Sequence, residues 1–379
     1  MNRVSKYPEG PSKEAVDLRD AGRHNLHYSD LKAPVATMVR TIIHIGTTKT
    51  GSSFLQSNFY RMQRVLKEHG VFYPDPILGL GEHLRTSAHH YIASGMIGQA
   101  RGGLPDDPLD KLDDHVAAVR REFSLSSCPT MLLSSEVFGD FRRVHIDRLR
   151  ETFPEKVTIV VYLRRQDAWV ESWYAQLIKI GRDVTVDKII DNSRWRLNYL
   201  EYLMSWEEAF GLENIIVRPY ETGGEDGWLW SDFFQAVGFD QISKSSPLVA
   251  EVNRTLSEDL TLFSRAIGRY GYHPAMRRTL ELLNAHFETG DGLRYLSIEQ
   301  AAALIDEYGP SNDMVAQRYI GIPHLFLNNT VSKGDERRDL TPETTAAILG
   351  GICIQLLDRM AALDREIKTL KRGLPAPLE

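Results

Sequence analysis

The sequence has only two cysteines in 379 residues, Cys128 and Cys353. That is too few for a disulfide framework, and the spacing is not that of a metal site. It has no excess of positive charge. With a formal net charge of -6, no global basic field calls for nucleic acid, so a phosphate-rich ligand has to be held by a local cluster of donors. The opening MNRVSKYPEGPSKEAVDLRD lacks the apolar core of a signal peptide. No stretch reads as approaching the ~20 apolar residues of a membrane span. These absences fit a cytoplasmic protein with no transmembrane segment. There is no internal repeat. What is present is 42% hydrophobic content, enough for a sizeable core in one large domain or two smaller ones.

Residues 1–38 are polar, with Pro8, Pro11 and Pro34, and read as an N-terminal extension, a disordered leader or an arm packed on a sheet edge. Thr41 to Ile45 form a β-branched run ending at Gly46, a buried strand. A turn leads into one long amphipathic helix from Ser52 to about His69, stopped by Gly70. Val71 to Tyr73 read as a short extended piece, and the Gly/His-rich stretch from Gly79 to Asp107 as weakly helical. Further strands are expected at 130–133, 157–163 and 214–218, with helices between them, which argues for a parallel sheet covered on both faces. Beyond Ser257 only helices are expected: 257–270, 276–287, 298–319 and 342–372. The expected organisation is an α/β core over 39–256 and a helical C-terminal region over 257–379. That region completes the same domain and shapes the site.

Gly46-Thr47-Thr48-Lys49-Thr50-Gly51-Ser52-Ser53 joins the first strand to a helix N-terminus. Backbone N–H groups there, the helix dipole, two serine hydroxyls and the point charge of Lys49 suit a phosphate or sulfate group. A nucleotide triphosphatase loop requires Lys directly after the second glycine. Here that position is Ser52, and the next strand ends in Ser134-Ser135-Glu136 rather than a metal-binding Asp, so a magnesium–ATP site is poorly matched. After the strongest strand comes Arg164, with Ser172 eight residues on, about two turns into the next helix. A guanidinium and a hydroxyl at that spacing can converge on one phosphate.

Taken together, these segments resemble the PAPS-dependent sulfotransferases, PAPS being 3′-phosphoadenosine 5′-phosphosulfate. Lys49-Thr50-Gly51-Ser52-Ser53-Phe54 resembles that family's 5′-phosphosulfate loop. Arg164 with Ser172-Trp173-Tyr174 resembles its 3′-phosphate motif. The forms around His44-Ile45-Gly46, His69 to Pro74, Ser134-Ser135-Glu136 and Ser311 to Tyr319 are similar to a bacterial branch of the family. The resemblance spans roughly residues 40 to 325. It implies a P-loop-type α/β fold, a sulfuryl transfer from PAPS that releases PAP, and no metal.

By the same resemblance, Lys49 contacts the sulfonate and the bridging oxygen, while Thr48, Thr50, Gly51, Ser52 and Ser53 line the 5′-phosphate. Arg164 and Ser172 hold the 3′-phosphate. Phe54 either stacks on adenine or faces the core, and Arg165 is either a second donor or a surface charge. Glu136 is the candidate base, with acceptor binding or an arginine pair as its other roles. His44 is a rival base, and His83, His89 and His90 either line the acceptor pocket or are structural. The family's cytosolic small-molecule branch carries an Arg-Lys-Gly loop that has no secure counterpart here; Ser332-Lys333-Gly334 reads as a solvated turn. The implied acceptor is a hydroxyl of a carbohydrate or glycolipid. Trp173, Trp195, Trp206, Trp228 and Trp230 are either sugar platforms or core. The competing classes are an ATP-dependent phosphotransferase and a non-catalytic nucleotide-binding module.

Overall fold

The structure is a computed structural model, which describes residues 41–80, 86–101, 104, 109–182, 184–220, 227–247, 256–268, 274–284, 287, 295–327 and 341–373. The expected N-terminal extension, His83 and Ser332-Lys333-Gly334 lie outside the described residues. In chain order, β1 (Thr41–His44) leads to α1 (Ser52–Arg61), α2 (Gln63–Glu68) and β2 (Val71–Phe72). Then come α3 (His90–Ile97), α4 (Leu112–Leu125), β3 (Thr130–Ser134), α5 (Arg143–Thr152) and β4 (Val157–Leu163). Helices α6 (Gln166–Lys179), α7 (Val186–Leu197) and α8 (Tyr199–Phe210) precede β5 (Ile215–Pro219), which is followed by α9 (Trp228–Ala236) and α10 (Asp240–Ser243). The remaining elements are α11 (Glu258–Gly268), α12 (Pro274–Leu283), α13 (Ile298–Val315), a π-helical turn at Ala316–Ile320 and α14 (Pro342–Gly373).

The five strands form one parallel sheet in the order β2-β3-β1-β4-β5. In β1, Ile43 pairs with Leu133 on one side and Ile159 on the other. Because side chains alternate along a strand, each strand feeds two cores. Ile42, Leu132, Val160 and Tyr162 meet Leu55, Phe59, Leu66 and the α9 residues Leu229, Trp230 and Phe233. Ile43, Leu133, Ile159 and Val161 meet residues of α3, α4, α5 and α8 on the opposite face. The result is the expected α/β architecture, a parallel sheet flanked by helices. The order places β1 beside β4, so the loops leaving their carboxyl ends share one crevice, the place where open α/β sheets bind ligands.

Three expectations change. The long first helix breaks at Met62, whose φ of -103° and ψ of 17° end α1 before α2 begins. Helix α7 was not expected, whereas the weak helical character expected of the Gly/His-rich stretch is met in part by the buried helix α3. The expectation of no span-length apolar stretch is also corrected. Among the described residues, Pro342–Leu363 is long and apolar enough, by length and composition, to cross a membrane, and only 11% of it is buried. Asp358 and Arg359 interrupt the run locally but leave it apolar on average.

The C-terminal helices brace the sheet through α6. Gln166 and Asn312, 146 residues apart and both buried, exchange reciprocal amide hydrogen bonds of 2.9 Å. Glu171 accepts from the backbone N–H groups of Tyr295 and Leu296 at 2.8 and 2.9 Å. The Asn312→Leu substitution keeps the branched shape but strips a buried partner from the Gln166 amide. It should lower unfolding free energy by about 1–3 kcal/mol in urea titration, with the denaturant slope unchanged.

Candidate active site

The first loop is shaped by backbone geometry before any side chain acts. Gly51, at φ 73°, caps α1, and Lys49 also adopts a left-handed φ of 72°. That region is disfavoured for a residue with a Cβ, so surrounding contacts must hold it. A Cβ on Gly51 would lie 2.4 Å from Leu229 Cδ2, which ties the loop closely to α9. Thr50 Oγ1 donates to the Thr47 carbonyl at 2.6 Å, and Thr47 Oγ1 donates to the Tyr162 carbonyl at 2.8 Å. From below, Gly139 approaches so closely that a Cβ there would lie 2.8 Å from the Gly46 carbonyl oxygen.

The second loop reaches across to the first. Arg164 Nη1 donates to the Lys49 carbonyl at 3.1 Å, and Trp169 Nε1 donates to the Thr48 carbonyl at 2.9 Å. Lys49 Nζ in turn donates to Gln176 Oε1 on α6 at 3.3 Å. Lys49 and Arg164, the two cations expected to share a ligand, therefore stand at adjoining strand-to-helix corners. Among the described residues neither forms an ion pair with a carboxylate. Burial lowers the Lys49 pKa to about 8, with Arg164 and Lys179 adding repulsion and Glu136 opposing it. Burial also lowers the pKa of Arg164. Arg164 Nε and Thr48 Oγ1 are buried polar atoms without a protein partner among the described residues. A dianion in the crevice would relieve both the repulsion and these unmade hydrogen bonds.

The other expected residues fall into place around this pair. Ser52 is buried and Ser53 half-buried at the α1 N-terminus, while Ser172 is half-buried in the second turn of α6. Phe54 packs against the core cluster beneath α9. The Arg165 guanidinium grips Asp167 at 2.6 and 2.8 Å as α6 begins. Among the tryptophans, Trp206 and Trp230 are fully buried core, and Trp173, Trp195 and Trp228 are partly buried.

Glu136 follows β3, where Ser135 accepts from the Val137 N–H and starts a short 3-10 turn. One carboxylate oxygen accepts from Gln56 Nε2 at 2.8 Å, and the other lies 3.9 Å from His90 Nε2. His90 is itself held by Ser135 through Nδ1 at 2.8 Å. Glu136 lines a small cavity with Thr47 and Thr48 of the first loop and with Trp169, Arg196, Tyr199 and Tyr202. His44 lies fully buried below, hydrogen-bonded to Ser134 at 2.8 Å, and burial drives its pKa down to about 4. His89 accepts from the Ser134 N–H and contacts the Pro74 carbonyl, with its pKa lowered to about 3 by burial. Both histidines are neutral packing elements in this geometry. Gln56, Gln176, Trp169 and the cavity residues Arg196 and Tyr199 escaped the sequence reading. Nothing in their local pattern distinguishes a glutamine or tryptophan facing a ligand from one facing the core.

No protein-family model matches the chain. An uncharacterized protein of Archaeoglobus fulgidus is 30% identical over 206 residues, which cover 52% of this chain and 55% of that protein. The match thus spans little more than half the length of that relative. Among solved structures, a sulfotransferase from Alicyclobacillus acidocaldarius aligns over 71% of this chain and 95% of its own, at 13% identity and a TM-score of 0.36.

Proposed function

We propose that this chain is a cytoplasmic PAPS-dependent sulfotransferase that acts on a hydroxyl of a carbohydrate-like acceptor and releases PAP. The observation that carries this reading is the meeting of two strand-to-helix corners. Arg164 bonds to the Lys49 carbonyl at 3.1 Å, and neither cation forms an ion pair with a carboxylate among the described residues. A nucleotide bearing a phosphosulfate at one end and a 3′-phosphate at the other matches that charge.

The chemistry supplied by the donor is sulfuryl transfer, with the S–O bond to the 5′-phosphate broken as the acceptor oxygen bonds to sulfur. Backbone N–H groups from Gly51 to Ser53 and the α1 dipole hold the 5′-phosphate. The Lys49 ammonium, oriented by Gln176, neutralises charge left on the departing phosphate oxygen. It therefore favours the transition state over the ground state. Arg164 and Ser172 hold the 3′-phosphate. Glu136 takes the acceptor's proton, steadied by Gln56 and His90. The cavity it shares with Thr47 and Thr48 receives the acceptor hydroxyl.

The direct test is release of PAP when the protein meets PAPS and a panel of saccharides. Lys49→Ala should lower kcat by roughly 10²–10³-fold. Arg164→Ala should weaken PAP binding about 10–100-fold. Undiminished turnover in Lys49→Ala would overturn the mechanism. Thermal stabilisation by magnesium–ATP that PAP fails to compete away would favour a phosphotransferase instead, and PAP binding without turnover on any acceptor a non-catalytic module.

Glu136→Gln should cut kcat by about 10²-fold or more while leaving PAP affinity intact in calorimetry. The depressed Lys49 pKa sets a further expectation. Above a pH of about 8 the free protein loses the Lys49 proton, whereas a bound anion holds that proton on. PAP affinity should therefore fall as pH rises past that value, by up to roughly tenfold per unit, with proton uptake on binding. Calorimetry in buffers of different ionisation enthalpy reads both, and Lys49→Met should abolish the uptake.

A further inference from the structure

Among the described residues, helix α14 keeps an apolar flank that nothing covers. One face packs inward: Ile348 is fully buried, Ile352 joins the cluster of Leu260, Leu280 and Leu283, and a Cβ on Gly351 would lie 2.7 Å from Leu283. The flank beside it exposes Leu349, Leu356 and Leu363 at 48, 54 and 48%, with Met360 at 65% and Cys353 also exposed, while Ile354 and Leu357, at 59 and 63%, add apolar surface outside that line.

That line follows an unbroken heptad. Leu349, Leu356, Leu363 and Leu370 recur every seven residues at d, and Cys353, Met360 and Ile367 fall at a. An a/d repeat sustained for about three heptads or more marks a coiled-coil seam. The flanking charges choose the partner. Arg359 and Glu366 occupy g, and Asp364 and Lys371 occupy e. In a parallel pair of identical helices, g of one chain faces e of the next heptad in the other. Arg359 then meets Asp364, and Glu366 meets Lys371, each pair opposite in sign and each formed twice by symmetry.

We propose that α14 forms a parallel two-stranded coiled coil with a second copy of this chain. A lipid bilayer is the lesser fit, because Asp358 and Arg359 fall within the apolar window and would have to enter hydrocarbon. In the coil they take positions f and g, outside the seam.

The symmetric geometry sets Cys353 opposite its own copy across the axis, and this gives the test. In the full chain carrying Cys128→Ser, diamide should accept two electrons and two protons from the two Cys353 thiols. The product is a disulfide-linked dimer, lost in Cys353→Ser. Light scattering should give twice the 43.0 kDa chain mass without oxidant. Leu356→Lys with Leu363→Lys should return the single-chain mass, with circular dichroism confirming the folded core. Arg359→Glu should weaken the dimer, and adding Asp364→Arg should restore it. A single-chain mass with no Cys353 cross-link would overturn the proposal. So would a dimer that survives the paired leucine substitutions, or a single chain that floats with anionic phospholipid vesicles.

Discussion

The site depends on one tie, the hydrogen bond from the Arg164 guanidinium to the Lys49 carbonyl, reinforced by the Trp169 indole on the neighbouring Thr48 carbonyl. Both bonds run from the corner after β4 to the corner after β1. They are short because β1 and β4 are adjacent in the sheet. The left-handed turn at Lys49 puts a strained residue where its carbonyl can accept from Arg164, and the acceptance in turn holds the strain. Sheet order, backbone conformation and the placement of two positive charges are thus a single arrangement.

Around that tie the molecule divides its work between two kinds of support. Apolar packing fixes the sheet and both helix layers, with Tyr162 and Leu229 on one face and Val161 and Phe138 on the other. Polar bracing fixes the loops. The Gln166–Asn312 exchange anchors the start of α6 to α13, and the Tyr199 hydroxyl donates to the Arg164 carbonyl. Glu136 stands where the two supports meet, its turn set by Ser135 and its carboxylate by Gln56 and His90.

Much of this was legible in the sequence. The strands announce themselves as β-branched runs such as Val157 to Leu163, and their alternation with helices fixes a parallel sheet. The first loop and the Arg164 corner were found through glycines, hydroxyls and cations at fixed spacing, which is local information. What stayed hidden is long-range. Asn312 stood in a segment marked by resemblance alone, and its buried partner lies 146 residues away. The pairing of Arg165 with Asp167, two residues on, carried no signal in the sequence. The break at Met62 reflects a local dihedral choice within an amphipathic pattern that continues on both sides of it. The apolar length of α14 was obscured by two adjacent charges.

Among the described residues neither Lys49 nor Arg164 forms an ion pair with a carboxylate, and the consequence reaches beyond the site itself. Repulsion between neighbouring cations opposes the compact state, so an anion bound between them would add to the stability of the fold. Any ligand that binds only the folded chain adds RT ln(1 + [L]/Kd), about 2.7 kcal/mol at a hundredfold excess over Kd. Abundance of this protein in a cell would then follow the supply of its anionic ligand, since a starved chain opens more often to proteases than a filled one.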